Sequence, residues 1–201
     1  MGERKTGEGL ANPRQVFVLS GPSGVGKNTI AGQLCRRGLA VRAVTATTRP
    51  PEPGEVDGRD YDFISREEFR RWIDEGRLVE HTQYLGHYYG TPLLSLNEAA
   101  NSGLPVILTI DVDGGLQMKK KWPDVTLIFV KPPSRRELQE RLRQRQRDTT
   151  DSVVRRLERA EEEYAYAEEY DHCVVNDDLD ETVEEVARII SNAGGPCGAS
   201  R

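Results

Sequence analysis

With 201 residues, 36% hydrophobic and 30% charged, the chain has apolar material for one full core and the charge balance of an ordinary globular protein. Its net charge of −5 provides no general basic field for a long polyanion, and three scattered cysteines and three scattered histidines argue against a disulfide framework or a metal cluster. The first fifteen residues are polar and no run approaches the roughly 18 apolar residues of a membrane span, so a cytoplasmic protein with no membrane or nucleic-acid partner is expected.

Apolar, β-branched runs at Val16–Leu19, Val41–Val44, Val106–Ile110, Val125–Val130 and Cys173–Val175 predict buried parallel strands. Helical patterns lie between and after them, at Lys27–Arg37, Pro92–Ser102, Gly114–Lys121, Ser134–Arg147, Thr150–Tyr170 and Asp180–Ser191. This alternation predicts an α/β fold around a parallel sheet. Thr45 to Gly90 breaks it. That stretch is dense in Pro, Gly, acids and Tyr, with strand-like pieces at Tyr61–Ile64, Leu78–Gln83 and Tyr88–Tyr89 around one helix, Ser65–Gly76, and predicts a small α+β insert. Ser65 with Glu68, and Ser134 with Glu137, are capping boxes that fix two helix starts.

Between the first strand and the first helix runs Gly21-Pro22-Ser23-Gly24-Val25-Gly26-Lys27-Asn28. Glycines there let successive N–H groups turn inward, the helix N-terminus adds partial positive charge, and a lysine can reach the terminal phosphates. A glycine-rich turn that only caps a helix would explain neither the three glycines nor the lysine. The segment from Lys131 to Arg159 carries a net charge of +5, which suits either a small anionic ligand or a solvated helix of Glu–Arg pairs.

Further motifs resemble the guanylate kinase family: Thr47-Thr48-Arg49-Pro50, Gly58-Arg59-Asp60-Tyr61, Glu80, Gly86 through Pro92, Leu108 through Gly114, Pro132-Pro133-Ser134, the arginine-rich helix and Val175-Asn176-Asp177-Asp178. The resemblance runs from about Val16 to Ile190 and implies a three-layer P-loop sandwich with an inserted GMP-binding domain and a helical lid. By it, residues 15–44 and 92–191 form the core, 135–158 the lid and 45–91 the insert, with disordered tails at 1–14 and 192–201. It implies phosphoryl transfer from ATP, with Mg²⁺, to GMP and to dGMP, by a monomer or small homo-oligomer. ATP would lie on Gly21, Pro22, Ser23, Gly24, Val25, Gly26, Lys27, Asn28 and Thr29. Asn176 falls at the adenine-side loop or is a turn residue. GMP would lie on Thr45, Arg49, Tyr61, Glu80, Tyr89, Thr91 and Asp111, with Arg49, Tyr61 and Tyr89 on its phosphate. Thr91, before Pro92, also reads as a helix N-cap, and Glu80 taken alone reads as an exposed strand residue. Lys27, Arg49, Arg141, Arg145 and Arg156 would serve catalysis, and Asn28 and Thr29 lie nearest the magnesium. Ribose-bisphosphate kinases and non-enzymatic binding modules resemble the same family, so an altered acceptor or a binding role are the alternatives.

Four positions depart from the family pattern. Glu52 replaces an arginine that would clamp the GMP phosphate, a reversal costing a few kcal/mol at roughly 6 Å and an effective dielectric near 20. Weakened GMP binding is the expectation, unless Arg59 substitutes. Thr109 replaces an acid at the end of a strand where a carboxylate would organise magnesium. Asn28 stands where many phosphate loops have Ser or Thr, and Gln146 replaces a lid glycine.

Overall fold

The computed structural model describes residues 15–144 and 150–193, without the side chains of residues 150–152. In chain order the elements are β1 (Val16–Ser20), α1 (Lys27–Arg36), β2 (Val41–Arg42), β3 (Ala46–Thr47), β4 (Asp62–Phe63), α2 (Arg66–Asp74), β5 (Leu78–Tyr84) and β6 (His87–Pro92). They continue with α3 (Leu93–Ala100), β7 (Val106–Thr109), α4 (Val112–Lys121), β8 (Thr126–Lys131), α5 (Arg135–Gln144), α6 (Thr150–Tyr164), a 3-10 turn at Ala167–Glu169, β9 (His172–Val175) and α7 (Leu179–Ala193).

The central sheet has the order β2-β7-β1-β8-β9, with every neighbouring pair parallel. A parallel sheet survives only with both faces covered, and β1 shows why its sequence is apolar throughout. Phe17 and Leu19 face Ile30 and Leu34 of α1 and Val183, Val186 and Ile190 of α7. Val16 and Val18 face the other way, onto Leu96, Val112, Met118 and Tyr170. Each such side chain, fully buried, stabilises the fold by about 1.5–3 kcal/mol. The result is the expected three-layer α/β sandwich.

Residues 46–92 build a second sheet of order β4-β3-β6-β5, with β3 parallel to β4 and antiparallel to β6, and β6 antiparallel to β5. Its own core is small, centred on Ala46, Phe69, Trp72 and Leu78, with Tyr88 stacked on Phe69 at 5.4 Å. Both predicted capping hydroxyls serve: Ser65 Oγ accepts from the Glu68 N–H and Ser134 Oγ from the Glu137 N–H, each at 3.1 Å.

Several expectations need correction. β3 was not foreseen, because a two-residue Ala-Thr strand has no periodicity to read. β2 pairs only over Val41–Arg42, not to Val44. α6 ends at Tyr164 rather than Tyr170. Its last turn tightens into Ala165 N–H to Glu162 and Tyr166 N–H to Glu163 carbonyl bonds, and the chain then turns to set Tyr170 edge-on against Phe129 at 5.3 Å. Asn192 and Ala193, predicted as tail, continue α7. Thr91 does not cap a helix: α3 starts after Pro92 without a side-chain cap, and the Thr91 hydroxyl is committed elsewhere. The remaining tail residues, Arg145 and Gln146 lie outside the described residues.

Candidate active site

The loop from Gly21 to Gly26 joins β1 to α1 at the carboxyl edge of the sheet. Gly21 and Gly26 hold φ values of +129° and +103°, which side chains rarely adopt. A Cβ on Gly21 would also collide with the Val130 carbonyl, and one on Gly26 with the Asn176 amide. Asn176 is buried and donates its Nδ2 to the Val25 carbonyl at 2.7 Å, so the residue just past β9 fixes the loop's shape from behind. Lys27 Nζ donates to the Gly21 carbonyl and, at 3.0 Å, to the Pro22 carbonyl. The first turn of α1 has no side-chain cap, and Asn28 and Thr29 stand exposed on it.

Facing the loop across a cleft of about 590 Å³ is the inner surface of the second sheet, so one cavity is lined by Lys27, Asn28 and Thr29 and by Thr45, Arg49, Tyr61, Glu80 and Tyr89. Asp111, Thr109 and Ile110 at the end of β7 form its floor. Arg49 presents a fork to Glu55, with Nη1–Oε2 and Nη2–Oε1 both 2.6 Å, and Glu55 also accepts the Glu52 N–H at 2.7 Å. The guanidinium lies 5.1 Å over the Tyr61 ring, and the Tyr89 ring stands edge-on to Tyr61 at 6.3 Å. An arginine braced in this way on one edge keeps a preformed donor surface for a phosphate.

At the far end Glu80 is only 3% exposed, and Thr91, fully buried behind it, donates to its Oε1 at 2.5 Å. Burial pushes the Glu80 carboxyl up to about 8, against the Thr91 hydrogen bond and with help from the nearby Asp111 charge. Glu80 is thus a buried carboxyl, not an exposed strand residue. Thr45 Oγ1 is buried without a partner beside it. Asp111 caps α4, accepting from the Gly114 N–H at 2.8 Å, and takes the Thr82 hydroxyl at 2.5 Å.

The helical hairpin of α5 and α6 closes on its own apolar seam of Leu138, Leu142, Val153, Leu157 and Ala160. Arg156 of α6 enters the cleft and donates to Ser23 Oγ of the loop. Arg141 does not: its Nε pairs with Glu137 one turn back at 3.0 Å. Arg59 is also elsewhere, held by Asp60 at 2.8 Å and largely exposed, so it does not replace the missing clamp at Glu52, which does line the cleft.

Several lining residues were not foreseen: Glu55, Thr82, Tyr84 and Glu163. Tyr84, near the tip of the β5–β6 hairpin, lines the cleft with Ser23, and burial raises its pKa. Glu163 is 3% exposed, and burial raises its pKa against the attraction of Lys27 and Arg159. Nothing local marks it within Glu161-Glu162-Glu163. Its seven-residue spacing from Arg156, nearly two full turns, was the available signal.

A glycine-rich phosphate loop on a parallel sheet, facing an inserted lobe with an arginine fork and a buried carboxyl, defines a P-loop protein of the kind that holds two ligands end to end. The guanylate kinase family model matches residues 13–193. The chain is 50% identical over 190 residues to a guanylate kinase of Gloeobacter violaceus, covering 93% of this chain and 92% of that protein. With a guanylate kinase of Rubrobacter xylanophilus it shares 48% over 187 residues, 91% and 98% of the two chains. The crystal structure of guanylate kinase from Anaplasma phagocytophilum superposes with a TM-score of 0.76 at 33% identity, covering 90% of this chain and 87% of that one. The chain belongs to the guanylate kinase family. Among the described residues, no helix is long and apolar enough to cross a membrane.

Proposed function

We propose that this protein transfers the γ-phosphoryl group of ATP to the phosphate of GMP, giving ADP and GDP. The observation that carries the proposal is the single cleft with a phosphate loop at one end and, at the other, a buried Glu80 behind an arginine–tyrosine cradle. Phosphoryl transfer asks little covalent work of the protein. A GMP phosphate oxygen attacks the γ-phosphorus, the bond to the β–γ bridging oxygen breaks, and its electron pair stays on ADP. The chain's task is to hold the two phosphates in line, surround them with cations and exclude water.

The backbone N–H groups of Gly24 and of Gly26 to Thr29, with the Lys27 ammonium, hold the donor phosphates, with Arg156, and Arg141 and Arg145 after lid closure, adding charge. Arg49, Tyr61 and Tyr89 hold the acceptor phosphate. Ionised Glu80 accepts from guanine N1–H and the 2-amino group, with Thr45 and Asp111 beside it. Thr91 acts through Glu80, since it is fully buried behind it. Adenine offers no matching pair of donors and would leave a buried charge unpaired. Asn176 acts by shaping the loop. The segment 45–91 is the acceptor domain and 135–158 the lid.

Magnesium neutralises charge on the ATP phosphates when bound. Asn28 and Thr29, exposed on the uncapped first turn of α1, would hold it on the protein side, offering the neutral oxygen donors that suit a hard cation already carrying phosphate and water. Function in the cytoplasm, as a monomer or small homo-oligomer, is part of the same proposal.

A coupled assay of ADP release with MgATP against GMP, dGMP, AMP, UMP and ribose 1,5-bisphosphate tests it. Turnover with GMP and dGMP alone is expected. Turnover only with another acceptor, or none with any, overturns it.

A further inference from the structure

Glu163 and Thr109 pose one question from two elements. Glu163 Oε2 and Thr109 Oγ1 are both buried and without a hydrogen-bond partner, although both residues line the cleft beside the phosphate loop. Buried carboxylate oxygens in native proteins are satisfied, because leaving one unpaired costs the full desolvation of a charged acceptor. Its other oxygen is accounted for: Glu163 Oε1 lies 3.5 Å from Arg159 Nε, and Arg159 is itself anchored to Asp113 on α4. One oxygen is therefore braced, and the other, buried on a residue that lines the cleft, has no donor from the protein. Arg156 and Glu163, seven residues apart on α6, share a face, so this helix delivers a cation and an anion to the same end of the cavity.

An acceptor-only oxygen at that place needs donors that arrive with the ligand. ATP phosphates bring none; they are acceptors themselves and repel it. Lys27 attracts Glu163 but is also committed to the loop carbonyls. A hydrated divalent cation meets the requirement, because magnesium keeps several waters when it binds phosphates and those waters are strong donors. A hydroxyl such as that of Thr109 can accept from or donate to the same waters, but β7 there supplies no charge.

We propose that Glu163 is the positioning residue for the hydrated magnesium of MgATP, accepting from the cation's water on its Oε2 while Arg159 braces its Oε1. The carboxylate thus comes from α6, and Thr109 on β7 contributes only a hydroxyl. The inference rests on the ATP-donor reading above and deepens it.

Calorimetric titration with ATP, once with excess magnesium and once in a chelator, tests it without any acceptor present. In the unaltered protein magnesium strengthens ATP binding. In Glu163→Gln that advantage shrinks by about tenfold while the affinity for metal-free ATP is kept or improves, since a negative charge has left the site. The double variant Glu163→Gln with Thr109→Asp, which returns a carboxylate from β7, regains the advantage. An unchanged magnesium advantage in Glu163→Gln overturns the proposal, as does an equal loss with and without metal, which marks a merely structural role. If Glu163→Gln does not fold, Glu163→Asp gives the same reading by drawing the carboxylate back one methylene: a severalfold smaller advantage supports the proposal and an unchanged one overturns it. Absence of ATP binding by the unaltered protein overturns this inference together with the donor site, whereas failure on magnesium alone leaves the proposed kinase reaction standing.

Discussion

Glu80 and Arg49 are prepared for their ligand in opposite ways. Burial pushes the Glu80 carboxyl up to about 8, so it is mostly neutral at pH 7 in the free protein, whereas the proposed guanine contact requires the carboxylate. Binding must therefore release a proton, and kcat/KM for GMP should rise with pH through about 8, measured by initial rates from pH 6 to 9. Glu80→Gln should flatten that profile and lose discrimination against AMP. Arg49 is held by Glu55, which takes the end of the fork and leaves the remaining donors for the proposed acceptor phosphate. Glu55→Gln should raise the GMP KM about tenfold, a loss of about 1.4 kcal/mol, with kcat little altered. If Glu55 instead competed with the phosphate, KM would fall. Lys27→Ala should lower kcat by at least about a hundredfold, since one preorganised donor aimed at developing charge is worth about 3 kcal/mol or more. Near-normal turnover would remove Lys27 from the mechanism.

At the scale of elements, the phosphate loop was legible because its signal is contiguous: strand, glycines, lysine and helix lie within some twenty residues. β1, β7 and β8 were legible because burial on both faces demands unbroken apolar runs. β3 was not, since two residues carry no period, and Thr91 was misread because its neighbour Pro92 suits a helix start while a partner eleven residues earlier claims its hydroxyl. Glu55, Thr82 and Glu163 share that difficulty: each is placed by a contact that only the assembled fold creates. The α5–α6 hairpin shows the energetic side. Leu142 is fully buried in its seam, and its side chain also fills the space beside Gly24 of the loop. Leu142→Ala should cost about 2–5 kcal/mol, lowering Tm by at least about 4 °C, and raise the ATP KM because the loop loses its backing. Thermal melts and ATP kinetics read the two effects separately.

For the molecule as a whole, three lobes meet at one loop. Ser23 accepts from Arg156 of the helical hairpin, Tyr84 of the second sheet lines the cleft with it, and Thr82 ties that sheet to Asp111 of the core. Apolar contacts join the lobes as well: Val79 of β5 packs into the cluster on the main sheet, and Leu142 of the hairpin packs beside Gly24 of the loop. The sequence showed that an insert existed; it could not show where the insert touched the core, because Ser23, Tyr84 and Thr82 belong to no single motif.

The smallness of the second sheet's interior has a further consequence. Four residues, Ala46, Phe69, Trp72 and Leu78, make up its buried centre, against two full clusters flanking the main sheet. Its backbone amides should therefore exchange with deuterium through local opening well before those of β1 and β8, whose protection approaches that of global unfolding. In the proposed binding mode GMP bridges Arg49, Tyr89 and Glu80, and it should then slow exchange across β3, β5 and β6 while leaving β1 and β8 unchanged. In that mode the acceptor would act as the missing part of that lobe's core, and the lobe would reach its full rigidity only when loaded.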